Sequence, residues 1–274
     1  MQLWLVQSRP RVYTLQEPRR AALSNIIERV RFCKGKGFQG KGFQRRIMND
    51  TFPPRIESMV FDFDGTLAEL RLNFGEMKSR IGELAREYVR TAPPDTRIPV
   101  LEWIETLAED LASRDRDSAD VLRRRCLALI EEMELEAARG GCLFDFTRGV
   151  LGTLRMKRIR VAVITRNCEK AVRMVFPDLE EHCSALLARE HVPRVKPDPD
   201  HLLRALRRIG GAAGTALMIG DHPLDIQTGH RAGVLTAGVS SGHTTREELM
   251  RSGARWTAPD CRELMAVLEG QGLI

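Results

Sequence analysis

Met59-Val60-Phe61-Asp62-Phe63-Asp64-Gly65-Thr66-Leu67 is the stretch around which the chain can be arranged. Val60, Phe61 and Phe63 have the apolar, β-favouring character of a short buried strand. Asp62 and Asp64 interrupt it where the carboxyl end of that strand should emerge, and Gly65 offers the backbone a turn straight afterwards. Acids at i and i+2 are expected on one side of a strand. Two carboxylates so placed repel each other and lose hydration, so they call for a cation or a shared proton. A bare Asp-Gly is most often an ordinary turn. The nine residues taken together carry more than that.

Three further segments follow in order. Val161-Ala162-Val163-Ile164-Thr165 ends an apolar strand on a hydroxyl, Val195-Lys196-Pro197-Asp198-Pro199 presents a lysine, and Met218-Ile219-Gly220-Asp221-His222-Pro223-Leu224-Asp225 carries two more acids. With Asp-x-Asp-Gly-Thr-Leu, these resemble the four motifs of the haloacid-dehalogenase-like superfamily, and most closely its phosphoglycolate-phosphatase-like branch. The resemblance covers about residues 56 to 268. It implies an α/β protein, a Rossmann-like parallel sheet core with an inserted helical cap domain. It further implies a Mg²⁺-dependent phosphatase of a small phosphorylated metabolite. Asp62 would be the nucleophile and Asp64 the acid and base. Mg²⁺ would be held by Asp62, the Asp64 carbonyl, Asp221 and Asp225, while Thr165, Asn167 and Lys196 would bind the phosphoryl group. Arg166 stands where this branch usually has Asn, and Glu69 where it usually has Asp.

The remaining sequence is consistent with that frame. A chain of 274 residues, 43% hydrophobic, can bury one sizeable core plus an insertion. No apolar run nears the roughly 18 residues of a membrane span, and the N-terminus lacks the apolar core of a signal peptide. A cytoplasmic protein with no membrane partner is expected. The six cysteines are scattered without Cys-x-x-Cys pairs, which gives neither a zinc site nor a disulfide framework. Cys168 falls three residues after Thr165, and packing is its expected role. His222, beside Asp221, is not needed as a base by the resembled chemistry.

Net charge is +6, but its distribution matters more than its sum. Residues 1–55 hold 12 Lys or Arg against 3 Asp or Glu, a balance of +9, leaving 31 against 34, or −3, for the rest. That basic leader contains a short amphipathic pattern from Arg19 to Phe32 and a Gly-Lys-Gly-Phe-Gln near-repeat at 35–44. It can be read as a nucleic-acid contact, as a regulatory tail, or as sequence upstream of the true start, with Met48 close to the first strand. Composition alone does not favour nucleic acid.

Residues 56–67 and 147–274 are expected to build the core, and 68–146 the cap. The cap reading rests on three stripes of 3.6-residue period, around Met77 to Tyr88, Leu101 to Leu111 and Leu122 to Met133. Its arginines, including Arg114, Arg116, Arg123, Arg124 and Arg125, read as a solvated face. In the core, short apolar strands at 159–165, 184–188, 216–219 and 235–239 alternate with helices, the signature of a parallel sheet covered on both faces. Ligands bind such sheets beyond the carboxyl ends of the strands, where Asp62, Thr165 and Asp221 would meet. Three functions from different classes follow: a phosphatase, a phosphosugar mutase using the same residues, and a nucleic-acid-binding module using the leader.

Overall fold

The computed structural model describes residues 55–89 and 98–274. The leader helix, the near-repeat and the start at Met48 lie outside the described residues. Among the described residues six parallel strands form one sheet. They are β1 (Ser58–Phe61), β4 (Arg160–Ile164), β5 (Ala185–Leu187), β6 (Ala216–Gly220), β7 (Leu235–Val239) and β8 (Trp256–Ala258), in the order β5-β4-β1-β6-β7-β8. The protein is α/β, as its sequence implies. β8 was not among the expected strands; it has three residues, too few to display a period.

Alternation along the strands sorts the core into two layers. Met59, Phe61, Val161, Val163, Leu217 and Ile219 face one way, and pack with residues of α4 (Thr147–Met156), α5 (Glu169–Val175) and α9 (Cys261–Gly270). Val60, Ala162, Ile164 and Met218 face the other way, against α6 (Pro199–Arg208). On that side α6 also packs on α7 (Pro223–Ala232). A short helix, α8 (Arg246–Arg251), precedes β8. Helix starts are set by side-chain caps: Asp198 accepts from the Asp200 amide with Pro199 in the first turn of α6, and Asp260 accepts from the Glu263 amide at α9.

Between β1 and β4 the chain leaves the sheet. A two-residue strand, β2 (Ala68–Glu69), pairs antiparallel with β3 (Cys142–Leu143), so the outgoing and returning strands are clasped together. Beyond this clasp lie α1 (Phe74–Ala85), α2 (Val100–Ala112) and α3 (Arg116–Arg139). Asn73 caps α1 and Asp115 caps α3, each through its side-chain oxygen. The three helices bury Met77, Ile81, Trp103, Ile104, Leu122 and Ile130 in a core of their own. Helix α2 packs chiefly on α1 and α3, whereas α3 also packs on α5 of the sheet layer.

Candidate active site

Register brings the site together. Phe61 lies level with Val163 on one side and Ile219 on the other, so the residues that follow these three strands emerge side by side. β1 ends at Phe61, and Asp62 is the first residue past it, held by its amide to the Ile219 carbonyl at 2.8 Å. This modifies one expectation: Asp62 and Asp64 do not share a strand face. The chain turns at once, with the Phe63 carbonyl accepting from the Leu67 and Ala68 amides, and Asp64 Oδ1 accepts from the Leu70 amide at 2.9 Å. The turn needs Gly65, whose φ of 79° is left-handed and whose missing Cβ would collide with the Asp221 carboxylate. Ser241 ties this turn to the loop after β7, donating to the Gly65 carbonyl at 2.7 Å.

Asp62, Asp221 and Asp225 converge, each offering a carboxylate oxygen within 4.8 Å of the others, and all are under a tenth exposed. Lys196 is equally buried and donates to Asp62, and to Asp225 at 2.7 Å. The loop after β5 thus reaches both the first strand's acid and the last acid of the fourth motif. Asp225 also accepts from the His222 amide at 3.1 Å, inside the first turn of α7, whose start is capped by the His222 ring. His222 is therefore occupied as a helix cap. Cys168 is buried and its amide donates to Glu134, a packing and backbone role.

The electrostatics follow from this crowding. Burial first, then the charges of Asp62 and Asp225, push the Asp221 carboxyl up to about 9. Burial likewise raises Asp62 to about 6 against the pull of Lys196. Asp64 rises to about 7, chiefly through burial. Burial works against the Lys196 ammonium, but Asp225 and Asp62 outweigh it and raise its pKa. Three close buried carboxylates and one ammonium leave an excess of negative charge, and among the described residues the group offers oxygen ligands. A hard divalent cation such as Mg²⁺ fits that donor set. Asp64 brings its side chain to the Leu70 amide and is not part of the three-carboxylate group.

Thr165 and Asn167 follow the carboxyl end of β4, the strand next to β1. Thr165 is buried and its Oγ1 accepts from the Asn167 amide at 3.1 Å, so its own proton remains to be donated. Asn167 Nδ2 is buried without a partner among the described residues, a costly state that a ligand oxygen would relieve.

Two contributors were not anticipated. His201 is fully buried; its Nδ1 accepts from the Lys196 amide at 3.3 Å and its Nε2 donates to the Leu187 carbonyl at 2.9 Å. The imidazole thus pins the Lys196 loop to the end of β5, and burial lowers its pKa to about 4. A lone histidine five residues after a lysine gives no sequence signal for this. The second is Glu102 on α2, which receives both terminal nitrogens of Arg166 at 2.7 and 2.6 Å.

A parallel sheet with an acidic crevice at its carboxyl edge and a helical insertion after the first strand is the architecture of a hydrolase class, and the comparisons identify it. The haloacid dehalogenase-like hydrolase family model matches residues 59–239, and this chain belongs to that family. It is 25% identical over 224 residues to the phosphoglycolate phosphatase of Pseudomonas putida, spanning 78% of this chain and 80% of that one. It is 27% identical to the N-acetylmuramic acid 6-phosphate phosphatase of Pseudomonas aeruginosa over 230 residues, 78% of this chain and 96% of that protein. The crystal structure of a hydrolase from Pseudomonas syringae shares the fold, with a TM-score of 0.57 at 21% identity over 78% of this chain and 98% of that one. Among the described residues no helix is long and apolar enough to cross a membrane.

Proposed function

We propose that this protein is a Mg²⁺-dependent phosphatase that hydrolyses a small phosphate monoester, a phosphoglycolate-like acid or a sugar phosphate, through an aspartyl-phosphate on Asp62. The observation that carries the reading is the buried group of Asp62, Asp221 and Asp225 with Lys196 bridging two of its members. The relatives named as phosphatases support the reaction class.

Asp62 attacks phosphorus, forming an Oδ–P bond as the bond to the leaving oxygen breaks. Asp64, raised to about 7, still holds a proton near neutral pH and gives it to that leaving oxygen. The Asp64 carboxylate then takes a proton from water, whose oxygen displaces Asp62 from phosphorus and releases inorganic phosphate. Lys196 keeps Asp62 ionised and opposes the charge of the phosphoryl oxygens. Thr165 and Asn167 donate to those oxygens. Asp62, Asp221, Asp225 and the Asp64 carbonyl would hold Mg²⁺, which when bound supplies charge neutralisation and in-line alignment. The helical insertion, residues 68–146, serves as the cap over this edge, and residues 56–67 and 147–274 form the catalytic core.

The test is phosphate release from p-nitrophenyl phosphate, then from phosphoglycolate and a set of sugar phosphates, before and after EDTA. Chelation should abolish turnover and added Mg²⁺ should restore it. Full activity after rigorous chelation would remove the metal from the mechanism. Isomerisation of a phosphosugar without phosphate release would make the protein a mutase.

A further inference from the structure

Arg166 follows Thr165 in the loop after β4, and it is bound on three sides. These sides come from two partners: its two terminal nitrogens make one hydrogen bond each to the Glu102 carboxylate, and Nη1 also donates to the backbone carbonyl of Lys196. The pair is sheltered, with the arginine side chain 18% exposed and the glutamate 37%. Burial resists ionisation of Glu102, but the Arg166 contacts overcome it and lower its pKa. Three segments far apart in sequence therefore meet on one guanidinium: α2 of the insertion, the Thr165 loop and the Lys196 loop.

The surroundings indicate which partner is the fixed one. Trp103 and Ile104, next to Glu102 in the chain, are buried in the insertion's own core, so Glu102 stands on a rigid helix. The Lys196 loop has anchors of its own in His201 and in Arg231, which donates to the Pro197 carbonyl at 3.1 Å, and the Arg166 bond to the Lys196 carbonyl adds to them. A cleft of about 940 Å³ is lined by Glu102 of α2 and by Val195, Pro197 and Asp198 of that loop. Helix α3 has its own attachment, the buried pair of Glu134 with Arg189, whose Nη1 also donates to the Arg166 carbonyl at 2.8 Å. The insertion is thus seated through α3, and α2 reaches across the cleft through Glu102.

We propose that Glu102 and Arg166 are positioning residues for Lys196: Glu102 fixes the guanidinium, the guanidinium fixes the Lys196 carbonyl, and the ammonium is thereby set against Asp62 and Asp225. Seating of the helical insertion becomes a condition for correct geometry at the catalytic edge. The kinetic consequence rests on the phosphatase function proposed above; the mechanical one does not. A planar, bidentate donor is needed, and lysine cannot replace it.

The experiment uses the full chain with E102A, R166M, R166K and the double variant E102A/R166M. Kinetics with p-nitrophenyl phosphate are read together with amide hydrogen exchange of residues 192–198. R166M should lower kcat about ten- to hundredfold with little change in KM, the effect of a small misplacement of a catalytic group. R166K should recover only part of the loss, E102A should lose less than R166M, and the double variant should be no worse than R166M. Exchange in 192–198 should rise in E102A, although the mutation lies on another helix 94 residues from Lys196. Exchange and kcat at wild-type values in E102A, or losses in E102A and R166M that add independently, would overturn the proposal. A wild-type protein without phosphatase activity would sink the function while the exchange of E102A still decides the coupling.

Discussion

At the carboxyl edge of the sheet, Asp62, Lys196, Asp221 and Asp225 are each under a tenth exposed and converge, with Lys196 paired to Asp62 from 134 residues away and to Asp225 from 29. On the helical insertion, Arg114 pairs with Asp110, Arg123 with Glu105 and Asp120, and Arg125 with Glu87, all with side chains at least three-tenths exposed. The two regions have similar charge in sequence. The first holds it where water cannot compensate, the setting in which perturbed carboxylates gather at functional sites. The second leaves it in solvent, where pairing contributes little. Burial, not charge density, separates the two regions.

The sharpest test of that difference is D62N. The change preserves shape while removing the attacking oxygen's charge and one member of the carboxylate group. Turnover of p-nitrophenyl phosphate should fall by at least about a thousandfold, roughly 4 kcal/mol of transition-state stabilisation. The thermal midpoint should stay within roughly 4 °C, the shift caused by about 1 kcal/mol in a domain of this size. A variant keeping a tenth of wild-type turnover would take Asp62 out of the nucleophile's role.

The acids that converge at the carboxyl edge were legible through the family resemblance, because the motifs that carry it are local in sequence. Asp62 and Asp64 lie two apart, Asp221 and Asp225 four apart, and each pair ends a run apolar enough to mark a strand buried on both faces. The contacts between insertion and core were not legible. Glu102 and Arg166 are 64 residues apart and Glu134 and Arg189 are 55 apart, and each of the four looks like an ordinary surface charge on its own helix or loop. Only folding shows that two of the insertion's many acids are turned inward. The two-residue strands β2 and β3 were invisible for a related reason: their pairing, not their composition, defines them.

A second, smaller effect tests whether the buried side of the comparison extends past the carboxylates. His201 is held neutral, its pKa lowered from 6.5 to about 4 chiefly by burial. The unfolded chain therefore binds a proton that the folded one refuses between those values, and the stability this histidine contributes is complete above pH 6.5 and is lost as pH falls toward 4. The ceiling is on the order of 3 kcal/mol. Raised carboxylates such as Asp221 shift stability in the opposite sense over the same range, so the comparison must be with H201N. Urea unfolding at pH 7 and pH 4.5 should show the wild type's advantage over H201N shrinking in acid. An advantage that is the same at both pH values would mean that the ring is not the titrating group.

The smallest expected effect comes from the insertion's surface. Arg123 Nε is shared between both Glu105 oxygens on α2 at 3.0 Å, and its Nη1 donates to Asp120 on its own helix at 2.9 Å. On paper it joins α2 to α3. Its side chain is nevertheless 31% exposed and that of Glu105 49%, so water screens the charges and competes for every bond. The helices are already joined by buried Trp103, Ile104, Leu122 and Cys126. R123A should therefore cost no more than about 1 kcal/mol, with kcat and KM unchanged. Salt should diminish even that, because exposed pairs weaken as ionic strength rises. A loss of several kcal/mol in urea titration, or a fall in kcat, would show that the solvated face of the insertion carries structural or catalytic weight, and that burial alone does not divide the two regions.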